Sequence, residues 1–335
     1  MTDAASLAPS DVAPRRSLLG WMLVFSLPLL MIVMELSVYA FAPRVLSLRN
    51  VVNVLNQSSY LFVFACAQMM VILTRGFDLS LGAAVSSVSV ASALAMTGLA
   101  KLGAPDAVVV AAGLGAGLGV GALVGLFNGA FVAGLEINPF VVTLGSLNIC
   151  LGVSTTISGG SPVFNVPDVF SRLFYNGVLI PEVSIPITIA IIIGVALHFL
   201  LNHTTFGRSL YIIGNNPRAA LVAGLPSRRY LLTAYVACSL LAAFGALMLT
   251  ARTGSGEPNL GGSLMMESIA AAVIGGVSLQ GGVGGVGAVV FGALFVTMLS
   301  NSMDLLEVGG YVQQILLGCV TILAIFLDRL RRTRA

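Results

Sequence analysis

The stretch Thr204-Thr-Phe-Gly-Arg-Ser-Leu-Tyr-Ile-Ile-Gly-Asn-Asn-Pro-Arg-Ala-Ala-Leu-Val-Ala-Gly-Leu-Pro226 is polar in a chain whose neighbouring segments are long and apolar. It carries Arg208, Asn215, Asn216 and Arg218, and it runs on into Arg228 and Arg229. Asn216 suits an N-cap, where a side-chain oxygen satisfies the free amides of the first turn, and Pro217 suits the first helical position, where no amide is needed. Ala219, Ala220, Val222 and Ala223 then favour a short helix, which Gly224 and Pro226 end. A short, small-faced helix in a basic loop has two readings. It lies in a groove on a partner protein, or it is an ordinary basic loop on the cytoplasmic side of a membrane. Both put the stretch outside the bilayer, with apolar spans before and after it.

Composition agrees with that division. Hydrophobic residues make up 57% of the chain, charged residues 9%, and 38 of the 335 residues are glycine. A soluble domain would carry about a quarter charged residues. The chain reads as an all-α polytopic membrane protein. The net charge of +3 is modest and its basic residues sit beside apolar spans, which argues against nucleic-acid binding. Cys66, Cys150, Cys238 and Cys319 lie in apolar stretches without paired spacing, so they read as small core residues and no metal site is expected.

A membrane-spanning helix needs about 20 apolar residues. That ruler places spans near 18–41, 55–74, 79–100, 107–134, 138–157, 183–202, 230–251, 264–279, 284–303 and 310–327. The expected count is ten, within a range of eight to ten because the eighth is short. Residues 1–17 read as a cytoplasmic tail, 18–328 as the membrane domain, and 329–335 as a basic cytoplasmic tail. Arg15 and Arg16 before the first apolar run also fit a twin-arginine signal, but the run is long for one and further spans follow at once. Even numbers of spans separate Arg15–Arg16, the 203–229 loop, and Arg329, Arg331, Arg332 and Arg334, so all three basic clusters fall on one side, the cytoplasm. Arg44, Arg49, Lys101, Arg172 and Arg252 fall singly on the other. The stretch 158–182, with Gly159, Gly160, Pro162, Pro167 and Asp168, reads as an external loop with a surface helix.

Two glycine-rich breaks interrupt the spans in similar ways, Leu73-Thr-Arg-Gly-Phe-Asp-Leu-Ser-Leu-Gly82 and Val273-Ile-Gly-Gly-Val-Ser-Leu-Gln-Gly-Gly282. They read as a weak internal repeat, crossing the membrane in the same direction. Backbone freed at such breaks must be satisfied by protein or water, because lipid offers no partner, and broken helices of this kind often line a transport path. A tight turn between helices is the other reading. Asp78 fits two roles, N-cap of a helix starting at Leu79, or an ionisable group facing a cavity with Arg75 as its partner. Gly121, Gly125 and Gly129 recur every four residues and allow close helix approach, with Asn128 beside them able to hydrogen-bond across.

Several of these motifs carry a resemblance. Ala219-Ala220, Gly224 and Leu225-Pro226 resemble the loop by which importer-type ABC permeases grip their ATPase. Thr205-Phe-Gly-Arg-Ser-Leu-Tyr211 and Gly214-Asn-Asn-Pro-Arg-Ala-Ala220 resemble the ribose/xylose-type monosaccharide permeases in particular. Gly76-Phe-Asp-Leu-Ser-Leu-Gly82 resembles the family pattern Gly-Gly-Ile-Asp-Leu-Ser-Val-Gly, with Arg75 where a glycine is usual and Phe77 in place of an aliphatic residue. Gly121-Ala-Leu-Val-Gly-Leu-Phe-Asn-Gly129, Asn138-Pro-Phe-Val-Val-Thr-Leu-Gly145 and Ser268-Ile-Ala-Ala-Ala-Val-Ile-Gly-Gly276 extend the likeness over roughly residues 50–330.

The resemblance implies the permease subunit of an ABC importer for a monosaccharide or related solute in a bacterial inner membrane. It implies a separate cytoplasmic ATPase that holds ATP and magnesium, a second permease copy or paralogue, and a periplasmic sugar-binding protein. Arg208, Gly214, Asn216, Pro217, Arg218, Ala219, Ala220 and Gly224 are then the ATPase-coupling candidates. Gly76, Phe77, Asp78, Ser80, Gly82, Asn128, Pro139, Thr143, Glu267, Gly275, Gly276 and Gln280 are the candidates for the pathway and its helix breaks. The chain has no Gly-x-x-x-x-Gly-Lys-Ser/Thr phosphate loop, so ATP binding by this chain is not expected, and no catalytic constellation or bound cofactor is expected either. A self-sufficient secondary transporter is the alternative, against which Glu35, Asp78, Glu136 and Glu267 form no evident proton or sodium relay.

Overall fold

The computed structural model describes residues 18–180 and 183–333; the expected tail at 1–17 and residues 334–335 lie outside the described residues. The chain folds into helices α1 (Leu18–Tyr39), α2 (Leu48–Ile72), α3 (Leu81–Lys101), α4 (Asp106–Gly129), α5 (Pro139–Ser158), α6 (Asp168–Ser171), α7 (Ile185–His203), α8 (Thr205–Asn215), α9 (Pro217–Val222), α10 (Ser227–Thr253), α11 (Leu264–Ile274), α12 (Val286–Leu305) and α13 (Gly310–Thr333). A wide π turn, Ala130–Gly134, prolongs α4. The one departure from all-α structure among the described residues is a short antiparallel hairpin, β1 (Val178–Ile180) with β2 (Val183–Ser184).

Seven helices, α2, α3, α4 with its π turn, α5, α7, α10 and α12, are long and apolar enough to cross a membrane. The remaining expected spans fall on α1, α11 and α13, whose described apolar stretches are shorter. Most helices present broad apolar faces outward, among them Leu123, Leu126, Ile149, Ile191, Ile192, Val195 and Phe199. Apolar outward faces beside a buried, hydrogen-bonded interior are what a lipid solvent demands. The chain is a multi-pass helical membrane protein.

Helix α2 is the axis. From Ser58 to Leu73 it is buried without interruption, so it is enclosed on all sides rather than amphipathic. Helices α7, α10, α11 and α12 pack around it. Helix α4 packs against α3 and α10 through a glycine stripe longer than the one anticipated. A Cβ at Gly113 would lie 2.4 Å from Met96, at Gly117 2.8 Å from Leu247, at Gly121 2.5 Å from Ala243, and at Gly125 2.7 Å from the Val236 backbone. At Gly121 and Gly125, where the backbone of α10 itself lies within 3 Å, a side chain would push the helices apart.

The segment between α10 and α11 is irregular. Gly254 adopts a left-handed conformation and ends α10. Residues 255–263 then run in irregular form down the face of α3. Glu257 N–H donates to Ser89 Oγ at 3.1 Å and Gly261 N–H to Ser86 Oγ at 3.1 Å. Gly82 and Gly261 meet backbone to backbone, since a Cβ on Gly261 would lie 1.9 Å from the Gly82 carbonyl. Helix α11, of 11 residues, is therefore about 16 Å long, half the thickness of a bilayer core. In place of the span expected over 264–279 stands a short helix that ends at Ile274 and follows the irregular segment.

Candidate translocation and coupling site

The two breaks share a geometry as well as a sequence pattern. In the first, Gly76 N–H reaches back to Val71 O at 3.1 Å; in the second, Val277 N–H reaches Ala272 O at 2.9 Å. Each bond spans five residues and ties off a helix C-terminus, as in a Schellman-type ending. Shortly after that bond a polar side chain receives the amide two positions on. Asp78 Oδ1 accepts from Ser80 N–H at 2.9 Å, and Ser278 Oγ accepts from Gln280 N–H at 3.1 Å. Such local side-chain turns let the backbone reverse without leaving a bare amide in lipid.

Asp78 does not cap a helix at Leu79. Helix α3 begins at Leu81 behind Ser80, and Asp78 instead closes a turn two residues upstream. Nor does Arg75 pair with it. Arg75 turns away from Asp78, because its guanidinium is committed elsewhere. Asp78 is 1% exposed and heads a buried polar chain across three helices. Ser80 Oγ donates to Asp78 Oδ1, and Asn128 Nδ2 of α4 donates to Ser80 Oγ at 2.9 Å. Ser146 Oγ of α5 donates to Asn128 Oδ1. The Cys238 thiol of α10 lies 3.9 Å from Asp78 Oδ2, and Tyr235 OH donates to Phe77 O at 3.3 Å. Every donor in this chain meets an acceptor, the condition for a polar network to survive burial.

Asn128 thus works as its place beside the glycine stripe suggested. Ser146 and Cys238 were not anticipated. Ser146 lies three residues after Thr143 on the same buried face of α5, so helical spacing held a signal for it. Thr143 itself is buried but returns its hydroxyl to Pro139 O at 2.8 Å, and Pro139 opens α5 behind Asn138, whose side chain accepts Phe140 N–H at 2.9 Å. Both support α5 and neither joins the polar chain. Glu267 sits half-buried in the first turn of α11, away from it. Gly275 packs on Ala288 O of α12, where a Cβ would lie 2.2 Å away, and Gly276 takes φ 108° at the turn. Gln280 is exposed at the rim. Beside the first break a cleft of about 170 Å³ opens between Leu79, Gly82, Ser86, Leu151, Asn259 and Gly262. A larger groove of about 430 Å³ between α2, α7 and α12 is almost wholly apolar and lies apart from the polar chain.

Both breaks converge on the stretch 204–226. The helix α8 within it was not anticipated; the Thr204 side chain starts it by accepting Gly207 N–H at 3.2 Å. Gly214 at its end is wedged between the breaks, since a Cβ there would lie 1.8 Å from Leu73 O and 2.5 Å from Gly282 N. Gly282 N–H donates to Leu73 O at 2.9 Å, joining the two breaks, and Tyr211 OH donates to Gly284 O at 2.9 Å. Arg75 donates from Nε to Gly214 O at 2.6 Å and from a terminal nitrogen to Asn215 O at 2.8 Å. Its backbone is left-handed, φ 66°, a conformation that costs a side-chain-bearing residue roughly 1–2 kcal/mol.

Helix α9 forms as its residues require. Asn216 Oδ1 accepts Ala219 N–H at 3.0 Å, Pro217 leads, and Gly224 takes φ 72° just past the end. Its orientation differs from the expected small-residue face. Ala220 is fully buried against the body, so it is not available to a partner. The outward side carries Arg218, Ala219, Leu221 at 72% exposure and Val222 at 89%. Arg208 and Arg229 are exposed nearby, and Arg228 pairs with Glu136 at 2.6 Å. The outward side is thus an exposed apolar tip with arginines around it. Among the described residues no group of three or more His, Cys, Asp or Glu side chains is placed to hold a metal ion.

Comparison with known proteins bears on these features together. Residues 50–325 match the family described as branched-chain amino acid transport system / permease component. The chain is 32% identical to the galactose/methyl galactoside import permease protein of Salmonella typhimurium, covering 96% of this chain and 98% of that one. It is 33% identical to the ribose import permease protein of Bacillus subtilis, over 86% and 87%, and 31% identical to that of Escherichia coli, over 92% and 94%. No solved structure matches.

Proposed function

The chain belongs to the family of permease components described for branched-chain amino acid transport systems, and we propose that it is the membrane-spanning subunit of an ABC importer for a monosaccharide or related small polar solute. The near-full-length likeness to galactose and ribose import permeases carries the sugar reading. In this reading ATP and magnesium belong to a cytoplasmic ATPase that seats on α9, and a second permease copy or paralogue completes the path. A periplasmic sugar-binding protein delivers the solute at the face formed by 158–182. The wedge of Gly214 between both helix breaks supports it, because force applied at α9 reaches the two interrupted helices through direct backbone contacts.

The test is uptake by the complete system. The permease co-purified with the ATPase and binding protein encoded beside it, in proteoliposomes, is expected to hydrolyse ATP faster when galactose- or ribose-loaded binding protein is added. Hydrolysis unaffected by either sugar would remove the monosaccharide reading.

The same contacts support ten crossings over seven. Were only the seven long helices to cross, the 275–285 break would lie on the opposite side from 204–226 and 73–80. Gly282 N–H bonded to Leu73 O and Tyr211 OH bonded to Gly284 O are incompatible with that. Counting α11 with its irregular lead as one crossing, and adding α1 and α13, places 73–80, 135–138, 204–226 and 275–285 on one side. The Arg228–Glu136 pair joins two of these junctions. The pairing of Val163 with Gly256 and the bonds between Asn50 and Asn301 then belong to the other. Basic clusters put the first side in the cytoplasm, with both termini. Cysteine labelling at Arg208→Cys and Ser161→Cys is expected to proceed from opposite faces, in a Cys319→Ser background because Cys66, Cys150 and Cys238 are buried and Cys319 is exposed. Ser209, at 5% exposure, is unsuitable for labelling. Labelling of both positions from one face would break the ten-crossing topology.

A further inference from the structure

We propose that Arg75 is a positioning residue that locks the ATPase-docking unit α8–α9 to the first helix break, so that the two move as one body. The proposal rests on the reading of α9 as the docking helix. Its ground is the end of α8. There the chain leaves the helix at Asn216, whose backbone is extended, and Pro217 brings no amide. The last carbonyls of α8 therefore lack helical partners, and they form the negative end of its dipole. Arg75 supplies donors to the last two of them from another element, at 2.6 Å to Gly214 O and 2.8 Å to Asn215 O. A guanidinium suits this because its nitrogens diverge in a fixed plane and it stays charged.

Three further observations make this a built contact rather than a stray surface arginine. The Arg75 backbone is left-handed, which arginine tolerates poorly. Its side chain is held from behind by the second break, where a Cβ on Gly281 would lie 2.6 Å from Arg75 Cγ. Leu73, two residues before it, receives the bond from Gly282 N–H at 2.9 Å. Arg75 thus stands where the docking unit and both breaks meet, three residues from Asp78. Glycine takes this backbone without strain, whereas arginine bears the strain and adds the two side-chain bonds.

That makes Arg75→Gly an informative variant, because it relieves the backbone while deleting the clasp. The readout is hydrogen exchange of the full-length permease bound to its ATPase, with and without ATP and vanadate. In the native complex, exchange is expected to change together at 205–224 and at 71–80. In Arg75→Gly, membrane level and ATPase binding are expected to be normal and the change at 205–224 kept. The change at 71–80 is expected to fall by about tenfold, the loss from removing a charge-assisted hydrogen bond. Arg75→Lys keeps the charge but cannot bond both carbonyls in the same fork; an intermediate response is expected, and it serves if the glycine variant is poorly made. An undiminished response at 71–80 in Arg75→Gly overturns the clasp. Failure of the native permease to bind the ATPase at all, or a native complex silent at 205–224, removes the docking reading instead.

Discussion

Leu221→Asp and Val222→Asp are each expected to abolish recruitment of the ATPase, and uptake with it, while the permease stays in the membrane at its normal level. The two halves of that outcome come from the two sides of α9. Ala220 faces inward and is fully buried, so the helix is anchored by residues the variants do not touch. Leu221 and Val222 face outward and make little contact with their own chain. Burying a leucine or valine against a partner contributes about 1.5–3 kcal/mol. An aspartate in the same contact loses that and adds the cost of desolvating a charge. Affinity should therefore fall by at least about a hundredfold, at 1.4 kcal/mol per decade. Charge reversal at exposed Arg208 or Arg218 should act differently, slowing association and changing its salt dependence more than the final affinity. A Cβ at Gly224 would meet no atom of this chain within 4 Å, although the left-handed φ of 72° strains any side chain there. Loss of ATPase binding in that variant would come from the partner's side of the contact together with a displaced helix end. Co-purification of the Leu221→Asp permease with the ATPase at normal stoichiometry would remove α9 from the interface.

What the sequence made legible was local chemistry. The cap at Asn216, the proline after it and the glycine beyond specify α9 within a few residues, and the structure builds that helix from those parts. The spans follow from hydropathy, and the paired breaks from their matching glycine and Ser-Leu patterns. What stayed hidden depends on partners distant along the chain. Ala220 and Leu221 are neighbours in sequence, and only the packing of α9 decides that one is buried and the other exposed. Arg75 sits three residues from Asp78 in sequence, which suggested an ion pair, yet its partners are 139 and 140 residues away. The irregular path 255–263 carries no periodic signal of its own, and it makes hydrogen bonds to Ser86 and Ser89 of α3. Those serines, with Gly82 and Ala93, form a small and polar stripe along one face of α3, and that stripe was readable.

Asp78→Ala is expected to be severely impaired in transport and in yield, whereas Asp78→Asn is expected to retain most of both. Were Asp78 a simple helix cap, its loss to alanine would cost about 1 kcal/mol, too little to matter in a protein of this size. The observed arrangement raises the stakes. Asp78 Oδ1 receives both the amide and the hydroxyl of Ser80, at a site that is 1% exposed. Alanine strands two buried donors, each costing about 1–3 kcal/mol. It also frees Ser80 Oγ from its fixed orientation, and Asn128 and Ser146 are aligned through that oxygen. Asparagine is different. Its carbonyl oxygen can take the place of Oδ1 and keep both bonds, while its NH₂ faces the Cys238 sulfur, a weak but compatible acceptor. The pair therefore separates geometry from charge. Arg75, the one nearby cation that a charge mechanism would enlist, is bonded to the α8 carbonyls instead. Removing the negative charge while keeping the acceptor should then cost little, and uptake by Asp78→Asn at near-normal rates with a thermal midpoint close to the native one is the expected measurement. Equal and severe loss of uptake in both variants, at normal yield, would mean that the carboxylate charge itself takes part in moving the solute.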